Sequence, residues 1–266
     1  MYNHCTEGGK YEGRCTAPLL VDLESGRIIS NESGDIVRML NAFPKGVGNG
    51  VDLCPPALLA DIDAINAWVY EQLNNGVYRC GFATKQGAYE RAERDVHAGL
   101  ARVDELLQGR RFLCGATLTE ADVRLLPTAA RFDGCYASFF RCGRRQVRAW
   151  PRPFACRGPL WHRAAVPRRA PAPWPRRTSR RRLRPLLLLA QIRSDYPAVR
   201  RWLREMLELT GPGLFDLDEA RRSYYTNLFP LNPGGIVPAG PSPADLGFPE
   251  GAAKADADAF TYHESA

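Results

Sequence analysis

Twelve arginines and eight prolines crowd the stretch from Val147 to Gln191, which holds no lysine and no acidic residue. No single helix or sheet can run through it, because proline removes a backbone donor and breaks helices, and here it recurs every few residues. The stretch is expected to stay disordered, apart from a short apolar turn at Leu186–Leu189. Fold must therefore come from what precedes and follows it. The basicity is local too: the chain carries +7, whereas the residues outside the stretch sum to −5.

The 266 residues are enough to bury the core of an enzyme. No run approaches the roughly 18 uninterrupted apolar residues that span a bilayer, and the first residues lack a secretory apolar region. A soluble cytoplasmic protein with no membrane partner is expected. The eight cysteines (Cys5, Cys15, Cys54, Cys80, Cys114, Cys135, Cys142, Cys156) form no CxxC pair and no Cys/His cluster at metal spacing. Reduced thiols and no metal are the expectation.

Leu19–Val21 and Arg27–Ser30 are short β-prone runs joined by a segment ending in Ser25-Gly26, a hairpin signal. Ser33 then stands where it can cap a helix through Ile36, Val37, Met39 and Leu40, ending before Pro44. This makes a β-β-α unit. From Pro55-Pro56 the period turns helical, with Leu58, Ile62, Ile65, Val69 and Leu73 on one face and Asn75-Gly76 as a stop. A second helix runs through Ala88, Ala92, Val96, Leu100, Val103 and Leu107 to Gly109. Thr119, three residues before Asp122, reads as the start of a buried central helix, with Leu118 and Val123 as a hydrophobic staple. Glu120 and Asp122 read as capping groups rather than as an acid/base pair. His97 has no metal partner at spacing and reads as packing or solvent-facing. After the arginine-rich stretch, Pro197 to Leu207 gives an amphipathic helix and Ala220–Tyr225 a shorter one.

The order of these elements, and four motifs within them, resemble the xi class of the glutathione transferases, the glutathionyl-hydroquinone reductases. The motifs are the ten residues Asn31 to Leu40, the run Ile62-Asp63-Ala64-Ile65-Asn66-Ala67-Trp68-Val69-Tyr70, the run Asn74 to Ala83, and Leu118 to Asp133. Asn232-Pro233 and Ile236-Val237-Pro238 add a match in the tail. The fold class implied is α+β and mostly α: a partial thioredoxin-like β-β-α unit (residues 1–45) followed by an all-helical domain in two parts (55–146 and 192–230). The disordered insertion (147–191) lies between those parts, and an extended tail (231–266) follows.

The resemblance implies reduction of glutathionyl-hydroquinones by thiol exchange, with glutathione as co-substrate and a homodimer as the assembled form. By position, Pro18 matches the family's cis-proline and Ala17 offers its backbone to the tripeptide. Glu32 matches the carboxylate that holds the γ-glutamyl ammonium, and Ser33 the group that holds its carboxylate. Tyr78 and Tyr224 match two tyrosines at the mouth of the hydroquinone pocket, with Tyr225 one slip away. The family's nucleophile is the cysteine of a Cys-Pro-Trp-Ala motif at a helix start, where the helix dipole lowers its pKa. That motif does not occur in this sequence, so the chain is expected to be inactive and to begin downstream of it. Cys15 lacks a helix start behind it, and Cys80 sits in an apolar, structural context.

The resemblance also bears on the arginine-rich stretch. Joining Gln146 directly to Ile192 restores a run resembling the family's, and a segment opening with Val and closing with Gln fits a retained in-frame intron. The other functions that the sequence allows are a non-catalytic glutathione-fold binding protein and nucleic-acid binding through Arg176-Arg177, Arg180-Arg181-Arg182 and Trp174. Nucleic acid is not the expected partner. An organelle such as the chloroplast becomes the expected location if an upstream targeting segment exists.

Overall fold

The computed structural model describes residues 2–5, 11–43, 50–143, 191–211, 215–228, 230–238 and 242–246. The expected disorder of Val147–Gln191 and the apolar turn at Leu186–Leu189 lie outside these residues, except that Gln191 opens a short helix.

Strands β1 (Leu20–Asp22) and β2 (Arg27–Ser30) pair antiparallel, with Val21 opposite Ile28 and a bulge between Leu20 and Val21. Two local devices close the turn. Asp22 accepts hydrogen bonds from the Glu24 amide (3.1 Å) and the Ser25 hydroxyl (2.5 Å), and Gly26 takes a left-handed φ of 66° that a β-carbon would disfavour. Helix α1 (Ser33–Asn41) follows, completing the β-β-α unit. Its capping residue is Glu32 rather than Ser33, which is the first helical residue. Among the described residues of this unit Ile36 alone is a buried hydrophobic, while Ile29, Met39, Leu40 and Phe43 stay exposed. A two-stranded sheet with one helix cannot cover both of its faces.

The helical unit begins with α2 (Leu59–Val69), which runs through a π turn at Tyr70–Asn74 into α3 (Gly76–Gly81). Asn75-Gly76 is therefore not a stop. Gly76 is buried, and a β-carbon there would lie 3.2 Å from Val96 Cγ2, so the glycine serves close packing against the next helix. That helix is α4 (Gln86–Leu107), whose buried face carries Ala92, Val96, Leu100, Val103 and Leu107, as the period predicts. Helix α5 (Glu120–Arg131) packs against α2, against α8 (Pro197–Thr210) and against α9 (Leu217–Asn227). A second π turn at Phe132–Tyr136 leads from α5 to α6 (Ala137–Phe139), and α7 (Gln191–Asp195) precedes α8. The tail, expected to be extended, contains a helical turn, α10 (Pro243–Leu246).

One hydrophobic core runs through the helical unit, with Leu73, Leu107, Leu125, Phe132, Phe140, Trp202 and Met206 almost wholly enclosed. Each such side chain contributes about 1.5–3 kcal/mol by leaving water. The buried carboxylates Asp122, Asp104 and Glu120 are all paired. Asp122 completes the capping box with Thr119 and also accepts from the Leu113 amide and the Trp202 indole, both at 2.9 Å. Burial raises the Asp122 pKa, although these hydrogen bonds oppose it. Asp104 of α4 accepts from the amides of Ala198 (2.8 Å) and Val199 (3.1 Å), capping α8 across the interface. Glu120, expected to act at the helix start, instead joins the two units. It is fully buried, and its carboxylate meets Arg38 of α1 at 3.0 Å, Arg124 at 3.3 Å, the Asn66 amide at 3.1 Å and the Cys54 thiol at 2.7 Å.

Candidate functional site

A cleft of about 490 Å³ opens between the start of α1 and the α2–α3 helix, with α5 along one wall. Ala17, Ser33, Tyr78, Tyr70, Asn74 and Arg124 are among its lining residues. Three residues singled out in the sequence thus share one cavity, although Ala17 and Tyr78 are far apart along the chain. The Ala17–Pro18 peptide bond is cis. The Asn31 amide donates to the Arg14 carbonyl at 3.1 Å, which holds the loop ahead of Pro18 against the start of α1.

Glu32 lines a neighbouring hollow of about 340 Å³ together with Asp35, Arg38, Asp63, Asn66 and Arg124. Tyr70 and Arg124 line both cavities. Arg38 pairs with Asp63 and Glu120, and Arg124 pairs with Glu120, so both guanidiniums are held in place. A β-carbon at Gly34 would lie 3.4 Å from the Arg124 guanidinium, so glycine lets this cation sit close to the start of α1. Sequence reasoning passed over Tyr70 and Arg124. The available signal for Arg124 was a cation flanked by the apolar Val123, Leu125 and Leu126.

The π turn bears on which residues face the cleft. Eight residues of regular α-helix overshoot two full turns by about 80°. The wider turn at Tyr70–Asn74 counters that drift, which brings Tyr70, Asn74 and Tyr78 to one cavity.

Tyr78 and Tyr224 meet, their hydroxyl oxygens 2.5 Å apart. Tyr136, which the sequence reading did not select, adds a third hydroxyl 2.7 Å from that of Tyr224. The Phe140 ring lies against all three, with centroids 5.2 Å from Tyr78, 5.4 Å from Tyr136 and 5.9 Å from Tyr224. Burial raises the phenols of Tyr136 and Tyr224 well above the ordinary value, so both stay protonated at neutral pH. Tyr225 turns the other way, is buried, and bonds the Ser138 hydroxyl at 2.6 Å. The cleft thus combines hydroxyl donors, a helix start, a fixed cation and an aromatic wall. Such a set suits a ligand with carboxylate and aromatic parts.

Among the described residues the seven cysteines are free thiols. Cys15 is exposed in the loop ahead of Pro18, with no helix start at its position. Cys80 is buried, where a hydrogen bond with Cys142 lowers its pKa against the opposing effect of burial. Burial and the Glu120 carboxylate push the Cys54 thiol up to about 12. No group of His, Cys, Asp and Glu that could hold a metal occurs among the described residues, and no helix there is long and apolar enough to cross a membrane.

Comparison with known proteins bears on this arrangement. Residues 86–150 match the family model described as the glutathione S-transferase C-terminal domain. The chain is 34% identical over 243 residues to the glutathionyl-hydroquinone reductase YqjG of Escherichia coli, covering 91% of this chain and 60% of that protein. It is 36% identical to the glutathionyl-hydroquinone reductase PcpF of Sphingobium chlorophenolicum, over 87% of this chain and 60% of the relative. The crystal structure of a xi glutathione transferase from Phanerochaete chrysosporium superposes with a TM-score of 0.65 at 33% identity, covering 88% of this chain and 65% of that one. The chain therefore spans about three fifths of the length of the curated relatives that it matches.

Proposed function

We propose that this chain is a xi-class glutathione transferase and that its cleft receives glutathione and an aromatic hydroquinone conjugate for thiol exchange. The observation that carries the reading is the single cavity shared by Ala17, Ser33 and Tyr78. It sets a tripeptide-binding edge beside a phenol donor.

In this reading the backbone of Ala17, ahead of Pro18, pairs with the tripeptide in strand fashion. The Ser33 hydroxyl and the amides at the start of α1 take the γ-glutamyl carboxylate, and Glu32 takes its ammonium. Arg124 supplies a cation for a ligand that bears two carboxylates. Tyr78 and Tyr224 hold the oxygens of the hydroquinone. The exchange itself needs a thiolate. It attacks the sulfur of the conjugate, the aryl–sulfur bond breaks, and the aryl carbon takes the electron pair and a proton. Glutathione then attacks the resulting mixed disulfide, releasing glutathione disulfide and the thiolate.

No Cys-Pro-Trp-Ala motif occurs in the 266 residues. Cys15, Cys54 and Cys80 do not replace it, because none combines exposure with a helix start that would favour the thiolate. The 266-residue polypeptide is accordingly proposed to bind glutathione without turning it over. The free thiols suit a reducing compartment such as the cytoplasm, and the family resemblance implies a homodimer.

Calorimetry with glutathione tests the binding half: measurable affinity that falls on Ser33→Ala and Glu32→Gln is expected, and no binding at millimolar glutathione would sink the reading. Fusion of a segment carrying Cys-Pro-Trp-Ala tests the chemistry. Turnover should appear with cysteine and be absent with serine in its place. Turnover by the unfused chain that vanishes on Cys15→Ala would transfer the nucleophile to Cys15.

A further inference from the structure

Tyr136 is 1% exposed, and its ring is held edge-on to Tyr224 (5.3 Å, 88°) and stacked on Phe140 (5.4 Å, 20°). Its hydroxyl meets the hydroxyl of Tyr224 at 2.7 Å, and Tyr78, whose ring centroid lies 5.9 Å away, is the other phenol that acts on it. Tyr224 has two hydroxyl neighbours, Tyr136 and, at 2.5 Å, Tyr78. Tyr78 is 37% exposed and lines the cleft.

A phenol has one proton to donate and lone pairs to accept with. A buried hydroxyl whose neighbours are phenols must send its proton to one of them or leave it unsatisfied, and Tyr224 is the one at hydrogen-bond distance, so Tyr136 donates to Tyr224. Tyr224, whose other neighbour is Tyr78, then donates to Tyr78. The Tyr78 proton has no acceptor in the chain of phenols and is turned toward the cleft. The reverse order would strand the Tyr136 proton in the core and present Tyr78 as an acceptor.

From this we infer that Tyr136 is a positioning residue that sets the direction of the Tyr136–Tyr224–Tyr78 proton chain, so that the cleft offers the Tyr78 hydroxyl as a donor to the oxygen of a phenolate or hydroquinone. The inference rests on the reading of the cleft as a hydroquinone site and deepens it. Hydrogen bonds in series polarise one another, so the outermost donor is stronger than a lone tyrosine would be. Burial keeps both inner phenols protonated, as a donating chain requires. The chain also discriminates: an aryl oxygen bearing negative charge is favoured, whereas a methyl ether of the same shape gains far less.

Two small aryl probes test it on the 266-residue protein. Binding of 4-nitrophenolate and of its methyl ether, 4-nitroanisole, is measured by difference absorbance for the wild type and for Tyr136→Phe, Tyr224→Phe and Tyr78→Phe. The wild type should prefer the phenolate. Tyr136→Phe should weaken phenolate binding by about tenfold, as expected for losing directional support to a charged acceptor, and leave 4-nitroanisole within about twofold. Tyr224→Phe should match it. Equal phenolate affinity in Tyr136→Phe and wild type would overturn the inference. So would an equal loss of both probes, since that is the signature of damaged packing. Glutathione affinity, read on Tyr136→Phe, a position that does not line the cleft, should not change. Loss of glutathione binding with phenolate selectivity intact would count against the glutathione reading alone.

Discussion

His97 places its Nε2 2.7 Å from the carbonyl oxygen of Cys142, so a buried side chain of α4 fixes the backbone just ahead of the arginine-rich stretch. The other ring nitrogen meets the Tyr196 hydroxyl at 3.0 Å, just beyond that stretch. Asp133 adds a bond from the Ile192 amide at 3.1 Å. The two flanks of the stretch are thus tied to the helical unit independently of what lies between them. Deleting residues 147–190 is expected to leave a cooperatively folded protein, stabilised by up to about 2 kcal/mol because a shorter loop costs less closure entropy. Urea denaturation reads this directly; loss of cooperative unfolding would show that the stretch belongs to the core. His97→Ala in the same background should cost about 2–4 kcal/mol, since it leaves a cavity and an unpaired carbonyl.

Glu120 decides whether the β-β-α unit stays docked. Burial works against its ionisation, but the hydrogen bonds from Cys54 and Arg38 outweigh it and hold the carboxyl below the ordinary range. A carboxylate with a lowered folded pKa stabilises the protein above its unfolded pKa, about 4.3, and that contribution is lost as pH falls through the folded value. Glu120→Gln should therefore cost about 2–4 kcal/mol at neutral pH and flatten the loss of stability in acid. A pH series of denaturation curves that stays parallel to the wild type would contradict this.

Gly81 lies under the Phe140 ring, where a β-carbon would come within 2.4 Å of the ring atoms. Phe140 in turn touches Tyr78, Tyr136 and Tyr224. Gly81→Ala should displace that ring and destabilise the protein by about 1–3 kcal/mol, the usual cost of overpacking. It should also weaken phenolate binding, whereas Gly109→Ala, with open space around its β-carbon position, should do neither.

The phenols of Tyr136 and Tyr224 and the thiol of Cys135, pushed up to about 11, are all raised by burial. For such acids the buried neutral form is favoured, so their contribution is whole below the unfolded values and is lost as pH rises through the folded ones. Stability should fall between about pH 9 and 11, where unfolded thiols and phenols ionise first. Tyr136→Phe should lessen the slope of stability against pH over that range, and an unchanged slope would refute the assignment.

Periodicity and end signals were enough to foresee α4, α8 and the hairpin, because their residues alternate or recur on one face and their turns carry their own chemistry. The central position of α5 was legible in the same way, through Thr119 and Asp122. Two features misled the reading. Asn75-Gly76 looks like a stop in one dimension, yet Gly76 is small because Val96 presses on it. Glu120 looks like a helix-start acid, yet Arg38, Asn66 and Cys54, from distant parts of the chain, claim its oxygens together with Arg124 one turn on.

The family resemblance named Ala17, Pro18, Glu32, Ser33, Tyr78 and Tyr224 one at a time, as residue types at positions. That Ala17, Ser33 and Tyr78 line one cavity, that Tyr70 and Arg124 belong with them, and that Tyr136 stands behind Tyr224 was decided by packing. Local sequence encodes the period of a helix and the chemistry of a turn, since both depend on neighbours a few residues apart. A hydrogen bond between Tyr136 and Tyr224, 88 residues apart, depends on a π turn and on the seating of α9 against α5, which no local pattern records.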